Sequence, residues 1–271
     1  VQATPGLRAY FRFSETGGAV VSDRIEGRRL DVDVGVALDE GTVPFDDPEP
    51  SSVRFFGGQP DHISGRYDSD LQFKRAMTVE LWVRPHGNEA EDGRCLQVGD
   101  GWTKLVWVDG VEPGFFGAWG LHLHGNDSTA LAFHMQIDPV GDGLELQEAA
   151  AVTASGALET ADDPGCADGS WQHLVATYDA ASDPNVSVYV DGVPAPGEGF
   201  IAPTGTAGGL GGYAPDARLH VGGLGLQPEV PYDYPVTQGL TFDGWIDELA
   251  LYDRALSPWE VLEHYETYQD D

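Results

Sequence analysis

The chain has 271 residues, 45 of them Asp or Glu against 14 Lys or Arg, for a formal net charge of −31. That charge repels nucleic-acid backbones and anionic membrane surfaces, and salt relieves its self-repulsion. No apolar run reaches the roughly 18 residues a membrane-spanning helix needs, and 36 glycines with 18 prolines predict frequent turns.

Along the chain, the first alternating segment is AMTVELWVRP, residues 76–85. Its period of two predicts a strand with one buried face. Next come Trp102, Trp107, Phe115, Phe116 and Trp119, punctuated by Gly and Asp in DGWTKLVWVDGVEPGFFGAWG. Such aromatics form either a flat sugar platform or a satellite core under a loop. Trp102 and Trp119 are the stacking candidates, with His122, His124, Asn126 and Asp127 as hydrogen-bonding partners for hydroxyls. His122 and His124 lie two apart on one strand face. A turn at Asn126–Ser128 would return His134 to that face, where three imidazoles can hold zinc or copper. Ordinary strand hydrogen bonds are their other use.

Residues 139–168 are long and rich in small side chains and read as an insertion. Cys95 and Cys166 are the two cysteines, without zinc-like spacing. In an exported chain they pair as one disulfide, and two buried thiols are the alternative. GSWQHLVATYDAASDPNVSVYVDGVPA, residues 169–195, is the clearest segment. Trp171, His173, Val175 and Thr177 share one side of a strand, and Gln172, Leu174, Ala176 and Tyr178 the other. A turn at Asp183–Asn185 leads to a second strand, and Asp191-Gly192 signals a tight hairpin turn. Further insertions are expected at 193–216 and 226–241. The second holds Tyr232 and Tyr234 in a proline-bounded loop, both stacking candidates. Finally, Ser257, Pro258 and Glu260 predict a capped short helix, with Trp259 or Leu262 packing back.

Six segments in order also resemble the laminin-G-like, concanavalin A-like jelly rolls. They are LRAYFRFSETGGAVVSDRIEG (7–27), VRFFGGQPDHISG (53–65), AMTVELWVRP (76–85), the 169–195 stretch, ARLHVGGLG (217–225) and FDGWIDELALYDRALSPWEVLEHY (242–265). The resemblance implies an all-β fold, an antiparallel two-sheet jelly-roll sandwich with a short C-terminal helix. It implies one domain over 1–271, with its core at about 7–268, and places Trp82, Trp171 and Trp245 on core strands. It also implies a structural calcium (Ca2+) between Asp23 and Asp247, although the arginines of RIEGRR weaken a cation site. If calcium is absent, Asp247 caps amides and Asp23 shapes a turn. The Glu-x-Asp-x-x-Glu pattern of glucanase relatives is missing, as are G-x-S-x-G, H-E-x-x-H and a phosphate loop. The expectation is therefore a non-catalytic, extracytoplasmic module, secreted or on the cell surface, that recognises a glycan or surface glycoconjugate. An adhesive or filament subunit with protein partners is the alternative, and a glycan-active enzyme the lesser one.

Overall fold

The computed structural model describes residues 4–38, 51–57, 62–86, 88–89, 95–96, 103–110, 117–124, 127–138, 147–153, 169–182, 185–195, 197–201, 209–223 and 241–270. They form two large antiparallel sheets packed as a jelly-roll sandwich and one C-terminal helix. The eight-stranded sheet runs Val193–Pro194, Val186–Val190, Gln172–Asp179, Ala76–Pro85, Asp243–Tyr252, Val53–Phe56, Val36–Leu38, with Leu7–Phe11 also on Asp243–Tyr252. The ten-stranded sheet runs Gly197–Ile201, Gln147–Thr153, Asp127–Asp138, Trp119–His124, Lys104–Val108, Arg218–Val221, Ile63–Arg66, Arg29–Val32, Val20–Ser22, with Gly209–Leu210 against Asp127–Asp138.

Alternation decides what lies between the sheets. Met77, Val79, Leu81 and Val83 face inward beside Leu174, Ala176 and Tyr178, and meet Leu121, Phe133, Met135 and Leu219 from the other sheet. Thr78, Glu80, Trp82 and Arg84 therefore face outward on the Ala76–Pro85 strand. The Asp191-Gly192 turn forms as expected. Both residues have positive φ, 51° and 76°, and Val190 pairs with Val193 across them. Part of the expected 139–168 insertion is a strand instead, because Gln147–Thr153 pairs on both edges. Its Ala149–Ala151 run carries no strand preference, so pairing rather than propensity makes it extended.

The helix spans Pro258–Asp270, and its cap is reciprocal. Ser257 Oγ accepts from Glu260 N at 3.3 Å, while Ser257 N donates to Glu260 Oε2 at 2.9 Å. Arg254 grips the same carboxylate at 2.6 and 2.9 Å and, with the cap, holds its pKa down at about 2. Val261 packs inward, whereas Trp259 is 69% exposed, so the tryptophan does not pack back. Beneath the helix lies a buried carboxylate. Glu80 Oε1 meets His173 Nε2 at 2.8 Å and His264 Nδ1 at 3.0 Å, and Tyr252 donates to Oε2 at 2.8 Å. Burial pushes the Glu80 pKa up, but the hydrogen bonds from His173 and His264 outweigh it and hold the group ionised well below the usual carboxylate range. Tyr265 stacks on Trp82 and His173, which closes the cover.

Candidate functional site

The helix covers only part of the outer face of the eight-stranded sheet. At one end of the sandwich, His86 N donates to Asp243 O at 3.0 Å and Phe242 N to Gly222 O at 2.7 Å. Thr241 bridges to Lys104 and donates to the Gly57 carbonyl at 3.3 Å. The chain stretches after Gly57, after His86 and between Gly223 and Thr241 therefore start or end here. Tyr232 and Tyr234 belong to the last of these and, like Trp102, lie outside the described residues.

A ladder of rings and guanidiniums stands at this end. Arg54, Trp245 and Arg84 are register neighbours on three adjacent strands. They face outward because Val53, Phe55, Ile246 and Val83 take the core positions beside them. Arg54 lies over the Trp245 ring at 4.4 Å and over the Phe56 ring at 4.7 Å, and Arg84 approaches Trp245 at 5.0 Å. Arg54 is buried and locked to Asp243 at 2.6 Å and to the Gly244 carbonyl at 3.2 Å. Arg84 donates to the Gly169 carbonyl at 2.9 Å, and His86 meets Trp245 edge-on at 5.7 Å. Phe56 is 54% exposed at the tip of this ladder. The Nε1–H groups of Trp245 and Trp171 find no acceptor among the described residues.

The outer face of the ten-stranded sheet carries a second group. A bulge between Lys104 and Val106 rotates Lys104 outward, so that it shares a face with Trp107. Its Nζ sits 4.1 Å from the Trp107 ring centre, and burial drives its pKa well below the ordinary lysine value. His134 packs against Trp107 at 5.5 Å and against His122 at 5.1 Å. Gly120 is required beneath Trp107, because a Cβ there would meet Cε3 at 2.7 Å. All four side chains are buried. His124 and Asp127 pair across the strands, but their side chains lie outside the described residues, as does Asn126.

The structure corrects the expectations for Trp119, Trp245 and Trp171. Trp119 is not a platform. It is fully buried in the core, between Phe133 and Tyr67, whose hydroxyl accepts its Nε1–H at 3.3 Å. Trp245 and Trp171 are not core residues, because they are only partly buried and Trp245 faces outward. Sequence reading missed Phe56, Arg54 and Arg84. The usable signal was alternation, since Arg54 and Phe56 interleave with buried Val53 and Phe55.

Asp23 does not fit the expected calcium site. Its Oδ1 accepts from Tyr10 N at 2.8 Å and Ile25 N at 3.0 Å. Its Oδ2 accepts from Glu26 N at 2.9 Å and Arg28 Nη1 at 2.7 Å. Calcium binds with six to eight oxygens, and here donors already fill the carboxylate. Asp247 Oδ1 accepts from Glu248 N at 2.9 Å. Among the described residues, no three His, Cys, Asp or Glu side chains gather to hold a metal. Cys95 lies in the short strand Cys95–Leu96, but its side chain and Cys166 are outside the described residues.

Known structures share the fold at low identity. The binding domain of botulinum neurotoxin serotype G superposes with a TM-score of 0.57 at 11% identity, covering 96% of this chain and 50% of that one. The binding domain of Paraclostridial mosquitocidal protein 1 gives 0.58 at 14%, covering 97% and 52%. Trypanosoma rangeli sialidase in complex with 2,3-difluorosialic acid gives 0.55 at 16%, covering 98% and 33%. The chain thus spans about half the length of the two binding domains and a third of the sialidase. No curated protein matches it by sequence. A sequence profile of the concanavalin A-like lectin/glucanases superfamily, of laminin-G type, matches residues 57–213, more than half of the chain, which therefore belongs to that superfamily.

Proposed function

We propose that this protein is a non-catalytic glycan-binding module working outside the cytoplasm, and that it binds at the Phe56–Trp245 end of the sandwich. The exposed Phe56 ring, held by Arg54 against Trp245, carries the reading. An aromatic ring offers a flat apolar surface to the C–H face of a sugar. Arg84 and His86 stand beside Trp245, on the same ladder, as polar groups for hydroxyls. Trp102, Tyr232 and Tyr234, which lie outside the described residues, remain candidates for stacking. A Cys95–Cys166 disulfide belongs to this reading, because it suits an oxidising exterior.

A glycan-array screen tests it, run with calcium and with magnesium at equal ionic strength. The expected result is binding to a defined set of glycans that Phe56→Ala abolishes or weakens. Uniformly empty arrays would shift the reading to a subunit with protein partners.

A further inference from the structure

The outer face of the ten-stranded sheet carries a row of arginines. Arg218 and Arg66 are direct cross-strand partners on Arg218–Val221 and Ile63–Arg66. The next strand, Arg29–Val32, pairs Asp31 with Ser64, and the same register two residues back sets Arg29 abreast of Arg66. All three face away from the core, because Leu30, Ile63 and Leu219 take the inward positions. All three are exposed, Arg66 with 84% of its side chain in solvent. Arg66 lies 3.4 Å from Asp68, which also meets Arg28 at 3.5 Å. Arg218 donates to Ser64 Oγ at 2.9 Å, and Asp109 accepts from its backbone N at 3.0 Å. Among the described residues, no carboxylate forms an ion pair with the side chain of Arg29 or Arg218.

Three of the chain's 14 Lys and Arg residues thus stand side by side in a protein of net charge −31. Like charges directly opposite one another destabilise a sheet. A ligand of opposite charge offsets that cost, and planar guanidinium forks suit oxyanions because they bind them by paired hydrogen bonds. We propose that the Arg29–Arg66–Arg218 row binds a compact polyanion, a small ligand that crowds several sulfate or phosphate groups together. Adjacent strands lie about 4.8 Å apart, so the row spans about 10 Å of backbone. Three arginines are too few for a nucleic-acid strand, which is gripped through roughly 6–10 phosphates. An extended acidic peptide presents the carboxylates of one face about 6.6 Å apart, twice the strand rise, and matches the row less well. The net charge opposes approach from afar, but at physiological salt it is screened beyond about 8 Å, which leaves the local row to act. The row lies on the other sheet from the Phe56–Trp245 ladder and does not depend on glycan binding there.

The test is isothermal titration at physiological salt with four probes: sucrose octasulfate, inositol hexakisphosphate, sucrose and a hexaglutamate peptide. At least one of the two polyanions should bind the wild type, and the tighter of them identifies sulfate or phosphate as the preferred group. Sucrose should not bind at the row. Arg66→Ala should weaken the polyanion severalfold, and the Arg29→Ala, Arg66→Ala double variant roughly tenfold or more. Arg66→Lys keeps the charge but loses the fork, and should fall between wild type and Arg66→Ala. Both arginines are exposed, so these variants should melt as the wild type does. Phe56→Ala should bind the polyanion unchanged, which separates this row from the glycan site. A wild type that binds neither polyanion overturns the inference. So does an affinity that the folded double variant retains, or a hexaglutamate peptide that binds more tightly than both polyanions.

Discussion

Arg54 lies 4.4 Å above the Trp245 ring, and its guanidinium is held there by Asp243 at 2.6 Å. The pair is a fixed support for the exposed Phe56 ring rather than a loose surface contact. Replacing Asp243 by Ala would leave a buried guanidinium without its carboxylate. Such a break costs about 3–5 kcal/mol, so Asp243→Ala should melt markedly lower by calorimetry. Phe56→Ala, at an exposed position, should stay within about 0.5 kcal/mol of the wild type.

Trp119→Ala should destabilise by about 3–5 kcal/mol, the usual range for emptying a large aromatic from a core. Urea denaturation checks this as a lower midpoint with an unchanged slope. A small effect would mean that the Tyr67–Phe133 pocket collapses around the gap.

The Glu80 network gives the fold a defined response to acid. Its folded pKa lies below the unfolded value of about 4.3. Stability from the ionised group is therefore fully present above about pH 4.3 and is lost only as pH falls through the lower folded value. Glu80→Gln should cost about 3–5 kcal/mol near neutrality, since it breaks a buried, multiply hydrogen-bonded charge. The gap between wild type and variant should narrow as pH drops below about 4. Melting curves at stepped pH values check both parts, and a gap constant down to pH 2 would contradict the assignment.

The helix cap is a smaller contribution. Ser257→Ala should destabilise by about 1 kcal/mol, the typical loss for an N-cap, and should leave glycan binding unchanged. Hydrogen exchange would show the effect as faster opening confined to Pro258–Asp270.

Much of the fold was legible because alternation and turn chemistry act locally. The inward set Leu174, Ala176 and Tyr178, the Asp191-Gly192 turn and the Ser257–Glu260 cap each depend on neighbours within a few residues. Gln147–Thr153 was not legible, since its alanines become a strand only through partners on both edges. The site was less legible for a related reason. Richness in glycine placed Trp119 near the surface, yet its alternation with Gly120 and its shared face with Leu121 and Leu123 put it in the core. Trp245 was assigned to the core by family position, while its alternation with Ile246 sends it outward. The ladder joins strands more than 150 residues apart in sequence, Arg54 to Trp245, and only the register brings them together. Asp23 carries the family's expected acidic position, and the arginines of RIEGRR were the local sign against a cation there, since Arg28 pairs with its carboxylate.

The central claim is that glycan recognition uses the Phe56–Trp245 end. Isothermal titration of one array-identified glycan into the wild type, Phe56→Ala and Trp259→Ala tests it most directly. Trp259 is the control, being an exposed aromatic on the helix. Removing the stacked ring removes its apolar contact with the sugar, so Phe56→Ala should weaken binding severalfold with an unchanged melting temperature, while Trp259→Ala should bind as the wild type does. Equal affinity for wild type and Phe56→Ala would contradict the account.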